Sequence, residues 1–119
     1  MEEELVRILF ERALKITTAE SCTGGLIAAT LVNVPGVSDV FETGYITYSE
    51  ETKMRILGVK RETLEKYTVY SEEVAREMAE GAAKTAGADV ALSVTGIAGP
   101  DGGTPDFPVG LCYIGCYYN

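Results

Sequence analysis

Apolar residues Leu5, Val6, Ile8, Leu9, Ala13 and Leu14 recur at helical spacing behind an acidic start, which predicts an amphipathic helix over residues 3–14. Residues 15–19, short and Thr-rich around Ile16, read as a strand. Leu26, Ile27, Ala28, Ala29, Leu31 and Val32 are almost continuously apolar and predict a buried helix, ended by Asn33 and Pro35-Gly36. Residues 40–49 alternate and are rich in Tyr and Thr, as a strand is. Helices follow over 50–57, stopped by Gly58, and over 60–67. Ser71 is placed to cap a longer helix, with Val74, Met78, Ala82 and Ala86 on one stripe and Gly87 closing it. Residues 88–94 form a compact apolar strand, and 109–118 a last strand on which Cys112 and Cys116 share a face, expected to be the core face. Between them, residues 95–108 hold four glycines and three prolines and form a structured loop.

Strands alternating with helices predict an α/β fold. The expectation is a single three-layer α/β/α domain over residues 1–119 with a mostly parallel, mixed sheet. No internal repeat or linker interrupts it. An edge strand with nothing after it to cover it is exposed to pairing. The expectation is therefore that a partner covers it or that the domain is truncated there, and that the chain is a homo-oligomer, dimer or larger.

Composition narrows the function. The 119 residues are 46% hydrophobic and 24% charged, ordinary for a folded domain. A net charge of −8 argues against a nucleic-acid partner, which would require a basic patch. No apolar run is long enough to span a membrane, so no membrane partner is expected. The acidic N-terminus is unlike a secretory signal, and three cysteines without CxxC spacing suggest free thiols in a reducing compartment. The expected location is the cytoplasm. Histidine is absent, which excludes Ser-His-Asp triads, Cys-His dyads and His-based metal sites within this chain. Acid–base chemistry then falls to Lys, Tyr, Cys or carboxylates.

Three segments could carry such chemistry. Glu20-Ser21-Cys22-Thr23-Gly24-Gly25 joins a strand to a helix, where free N–H groups attract anions and glycines admit a ligand. The plainer reading is a capped helix start with Ser21 or Thr23 as the cap. Cys22 at that helix start is either a thiol with a lowered pKa or, more ordinarily, a small buried side chain. Tyr48 at a strand end, with Lys53 in the next helix, offers a Ser-Tyr-Lys or Ser-Lys grouping to activate a hydroxyl; the plainer reading is a half-buried strand and a solvated helix. Ser93-Val94-Thr95-Gly96-Ile97-Ala98-Gly99-Pro100-Asp101-Gly102-Gly103 delivers Thr95 into a glycine loop able to nest an anion, without the Gly-Lys-Ser/Thr of a phosphate-binding P-loop.

Thr18 to Gly25, Gly44 to Ser49, Lys53, and Ser93 to Gly103 together resemble the CinA C-terminal domain family, the competence/damage-inducible family whose C-terminal domain is a nicotinamide-nucleotide amidase. The resemblance implies hydrolysis of the carboxamide of nicotinamide mononucleotide to nicotinate mononucleotide and ammonia. It implies Ser21 as nucleophile, with Tyr48 and Lys53 activating it. Thr95 would line the substrate site, and Gly24, Gly25, Gly96 and Gly99 would surround the ligand. Glu20, Cys22 and Thr23 fall in the same expected substrate-binding segment. The resemblance implies a small-molecule nucleotide as partner, with no cofactor and no metal. The phosphate would need helix N-termini, Lys53 or both. The family pattern continues past the last strand into a helix that brings an arginine to the site. The alternative is therefore a nucleotide-binding or oligomeric module of the same family with weakened catalysis.

Overall fold

Every residue of β1 (Ile16–Glu20) is buried, and the sheet is built outward from it. In a computed structural model that describes residues 1–119, β1 pairs in parallel with β2 (Phe41–Ile46) on one side and with β3 (Val90–Gly96) on the other. β4 (Cys112–Tyr118) adds antiparallel to β3, and the order across the sheet is β2-β1-β3-β4. A central strand covered on both faces has no need of polar alternation.

Helices α1 (Glu2–Glu11) and α2 (Leu26–Val32) lie on one face, where Val6, Leu9, Ile16, Leu31, Val34 and Val40 close a core. Helices α3 (Glu50–Leu57), α4 (Arg61–Tyr67) and α5 (Glu72–Ala86) cover the other, around Leu57, Val59, Leu64, Val74, Met78, Ala82 and Ala91. The domain is a three-layer α/β/α fold with a mixed sheet, as the alternation of elements predicts.

Helix α5 is the main buttress. Ser71 caps it, its Oγ accepting from the Val74 N–H at 3.2 Å, and Gly87 ends it in the left-handed region at φ 66°. Its buried face is mostly alanine, so it approaches closely. Ser93 of β3 donates to the Ala75 carbonyl at 2.5 Å. Gly115 of β4 sits beneath the same carbonyl, where a Cβ would lie 2.6 Å from that oxygen.

The differences from the sequence expectations have local causes. Helix α1 stops at Glu11 rather than residue 14, because Ala13 takes φ 55° and the Leu14 N–H turns back to the Leu9 carbonyl. The apolar α2 is not a buried helix: Leu31 is its buried residue, while Leu26 and Val32 are 63% and 58% exposed. A seven-residue helix resting on the sheet through one side leaves its other side in solvent. The strand expected over 40–49 ends at Ile46, since Ser49 caps α3 by accepting from the Thr52 N–H. The last strand begins at Cys112 instead of residue 109.

The largest correction concerns Cys112 and Cys116, both exposed rather than facing the core. The buried row of β4 is set by Gly115, which must lie against α5 at Ala75, with Tyr113 and Tyr117 half-buried on the same face. Side chains alternate with period two, so the cysteines turn to the opposite face with Ile114 and Tyr118. There Ile114 is 75% exposed, beyond the reach of α1 and α2.

Contact between α3 and α5 depends on Gly81, where an added Cβ would collide with the Leu57 carbonyl. Gly81→Ala is expected to destabilise the domain by about 1–3 kcal/mol through overpacking. Thermal and denaturant unfolding check this, and an unchanged midpoint would show that α3 is free to move aside.

Candidate active site

The connection from β1 to β2 passes over one face of the sheet through α2, and that from β2 to β3 over the other through α3–α5. The chain leaving β1 turns toward β2 and the chain leaving β3 turns toward β4, so the two part in opposite directions and open a crevice beyond their carboxyl ends. A cavity of about 360 Å³ occupies it, bordered by Ser21 and Cys22 after β1, Tyr48 and Lys53 after β2, and Gly96 and Gly99 after β3.

Ser21 is held by the turn on which it stands. Its N–H donates to the Val94 carbonyl at 3.1 Å, extending the β1–β3 ladder by one bond. Glu20 beside it is 1% exposed, and its carboxylate takes the first turn of α2. Oε1 accepts from the Thr23 hydroxyl at 2.7 Å and from the Ile27 N–H at 2.8 Å, and Oε2 from the Ala28 N–H at 2.9 Å. A carboxylate there satisfies orphan donors and complements the positive end of the helix. Gly24 and Gly25 bring the chain round at φ 62° and 110°. Thus Glu20, Thr23, Gly24 and Gly25 build the support beneath Ser21 and do not border the cavity. Neither Ser21 nor Thr23 is the helix cap. The two α2 N–H groups available for a phosphate already belong to Glu20.

Lys53 is the largest fully buried side chain of the protein, 1% exposed. Its Nζ lies 2.8 Å from Ser21 Oγ, 2.7 Å from the Thr47 carbonyl and 3.4 Å from the Tyr48 carbonyl. No carboxylate forms an ion pair with it. Burial lowers its pKa from 10.5 to about 8, against smaller opposing effects of Glu50 and Cys22. Carbonyl oxygens only accept, so two N–H bonds of the amine are committed to Thr47 and Tyr48. The remaining direction points at Ser21 Oγ. When the amine is neutral, that direction carries its lone pair.

The other expected site residues divide. The Tyr48 ring stands at the rim, 69% exposed, and the residue reaches Lys53 through its carbonyl rather than its hydroxyl. Thr95 is buried, with its hydroxyl donating to the Val69 carbonyl at 3.1 Å, and ties β3 to the α4–α5 link instead of bordering the cavity. Cys22, Gly96 and Gly99 do border it. The Cys22 thiol is pushed up in pKa by burial and by Cys112, contrary to the lowering expected at a helix start. The N–H groups of Cys22 and Thr23 have no acceptor within the chain. Glu50, Tyr70 and Asp101 also border the cavity and are not among the site residues expected from sequence. Asp101 was visible inside the glycine loop, whereas Tyr70 arrives through a long-range connection with no local signal. No three His, Cys, Asp or Glu side chains are grouped to hold a metal ion.

A serine hydroxyl against a desolvated lysine, at the carboxyl edge of an α/β sheet, defines a Ser–Lys site on a doubly covered sheet. The chain belongs to the CinA C-terminal domain family, whose model matches residues 1–119. It is 60% identical over its whole length to a CinA-like protein of Kosmotoga olearia. The chain spans 29% of the length of that curated relative. Among solved structures it resembles the competence/damage inducible protein CihA from Agrobacterium tumefaciens, with TM-score 0.91 and 42% identity over 99% of this chain and 74% of that one. A competence or damage-inducible protein from Enterobacter asburiae matches with TM-score 0.94 and 37% identity over 98% of this chain and 74% of that one. No helix is long and apolar enough to cross a membrane.

The lowered pKa of Lys53 has a consequence for stability. Between pH 8 and 10.5 the unfolded chain holds a proton at this position that the folded chain has released. Stability from this group therefore rises with pH across that window, by up to about 3 kcal/mol. Lys53→Met removes the slope. The difference in unfolding free energy between wild type and variant is expected to move toward the wild type from pH 8 to 10. A flat difference would mean that Lys53 is solvated.

Proposed function

We propose that the chain is a Ser–Lys amidase that hydrolyses the carboxamide of nicotinamide mononucleotide to nicotinate mononucleotide and ammonia. The observation that carries this reading is the 2.8 Å contact between Lys53 Nζ and Ser21 Oγ, with the amine oriented by the Thr47 and Tyr48 carbonyls. Family membership supports it at the coarser level of a CinA-type domain.

Neutral Lys53 accepts the Ser21 proton as Oγ attacks the carboxamide carbon. The developing oxyanion needs preorganised donors, and the unpaired N–H groups of Cys22 and Thr23 are adjacent to the nucleophile. The tetrahedral intermediate expels the amine, which takes the proton from Lys53 and leaves as ammonia. Water then attacks the ester on Ser21, giving its proton to Lys53. Lys53 returns that proton to Ser21 Oγ as the nicotinate product departs. One lysine thus acts as base and acid in turn, the part a histidine plays elsewhere.

A second reading is a nucleotide-binding module with weak turnover, and the charge of the cavity bears on its second half, the weak turnover. Lys53 is the cation on its wall and is committed to Ser21, while Glu50 and Asp101 are carboxylates. A pyridinium ring suits such a wall better than a phosphate does.

Ammonia release from nicotinamide mononucleotide tests the first reading. Turnover is expected to rise with pH through about 8, as Lys53 loses its proton. Ser21→Ala and Lys53→Arg should abolish turnover, whereas Cys22→Ala should keep most of it. An active Ser21→Ala beside a dead Cys22→Ala would overturn the assignment of the nucleophile. A thermal shift with the nucleotide but no ammonia would favour the second reading.

A further inference from the structure

Two tyrosines border the cavity, and they are held differently. The Tyr48 ring stands 69% exposed at the rim, whereas Tyr70 is half-buried and braced. Tyr70 lies on the link between α4 and α5, and its ring packs against Phe107 with centroids 6.2 Å apart and planes tilted by 49°. Phe107 is the half-buried residue of the otherwise exposed stretch 101–110. A tight turn presents it: its N–H donates to Thr104 Oγ1 at 3.0 Å, and the Thr104 N–H donates to its carbonyl at 2.8 Å.

The backbone that carries Tyr70 is held as firmly. Thr68 takes φ 66° and ψ 167°, a left-handed conformation that a β-branched residue rarely adopts. Hydrogen bonds keep it there. The Tyr70 N–H donates to Thr68 Oγ1 at 3.3 Å, Ser71 Oγ donates to the Thr68 carbonyl at 2.9 Å, and the Val69 carbonyl accepts from the Thr95 hydroxyl at 3.1 Å. Strain of this kind persists only where the surroundings impose it, and it concentrates at ligand clamps.

The charges of the cavity point the same way. Glu50 opens α3 and Asp101 lies in the glycine loop, and both border the cavity beside Tyr70. Neither carboxylate is in an ion pair. The Lys53 amine is turned to Ser21 and to the Thr47 and Tyr48 carbonyls.

We propose that Tyr70, together with the carboxylates of Glu50 and Asp101, makes the site selective for a planar cationic ring: it takes a carboxamide carried on a quaternised pyridine in preference to the same carboxamide on a neutral ring. The negative face of a tyrosine ring attracts a delocalised cation. Bracing by Phe107 leaves little side-chain freedom to lose on binding. The two carboxylates add an attraction that a neutral ring does not feel. That the ring carries a carboxamide rests on the amidase reading, whereas the preference for a cationic ring does not.

Nicotinamide mononucleotide and its reduced dihydropyridine form test this, because they share phosphate, ribose and carboxamide and differ in ring charge. Their dissociation constants are measured by calorimetry on Ser21→Ala protein, so that no turnover intervenes. The oxidised form is expected to bind about tenfold more tightly. Adding Tyr70→Leu, or Glu50→Gln with Asp101→Asn, should bring that ratio toward one, and Tyr70→Phe should keep most of it. The ratio compares two ligands on one protein, so a variant that merely loosens the link weakens both and leaves the ratio standing. An unchanged ratio in Tyr70→Leu would overturn the role of Tyr70, and an unchanged ratio in the carboxylate variant would overturn theirs. Equal affinity for the two forms in the Ser21→Ala protein, or no binding of either at millimolar concentration, would overturn the subsite. A chain that shows the preference but, with Ser21 in place, releases no ammonia overturns the amidase reading and leaves the subsite intact, so the two failures are distinguishable.

Discussion

A lysine amine buried without a counter-ion is the constraint around which the site end of this domain is organised. Such a group is tolerated only if its protons are accepted and its charge is weakened. Here the carboxyl end of β2 supplies the carbonyls of Thr47 and Tyr48, and β1 supplies Ser21. Meeting that demand fixes where β2 must stop, where α3 must begin, and how far α3 can slide along the sheet. The Ser49 cap sits between these requirements and serves both.

The second buried charge, Glu20, works in the opposite sense. Lys53 is kept poor in partners that would hold its proton, whereas Glu20 is saturated with donors from Thr23 and the start of α2. One charge is stabilised to make the scaffold rigid, and the other is destabilised so that it can exchange a proton. They stand on either side of Ser21 in the fold, and the serine inherits a fixed backbone from one and a basic neighbour from the other.

Much of this was legible in the chain. The order of elements, the Gly58 and Gly87 stops, the Ser71 cap and the α5 stripe follow from local chemistry that tertiary packing does not override. The pairing of Ser21 with Lys53 was readable as a resemblance and from the absence of histidine. The role of Glu20 was not, because a carboxylate before a glycine turn looks the same whether it meets a ligand or folds back onto the next helix. Thr95 misled for a similar reason: a hydroxyl at a strand end gives no sign of the Val69 carbonyl that claims it. The facing of Cys112 and Cys116 was hidden because both rows of β4 carry apolar side chains. Only the backbone approach of α5 at Gly115 decides which row is inside.

That one-sided burial of β4 shapes how the molecule breathes. β1 is sealed by helices on both faces and by strands on both edges, while β4 rests on α5 alone and shows Ile114 and Tyr118 to water. Amide protection against solvent exchange therefore declines across the sheet toward β4. The wall of the cavity is joined to this weaker margin through the Ile97 N–H on the Leu111 carbonyl and the Gly110 N–H on the Ile97 carbonyl. The cavity wall therefore shares its hydrogen bonds with the least covered strand of the sheet, whereas Ser21 and Lys53 stand beside β1 and on α3, away from that margin.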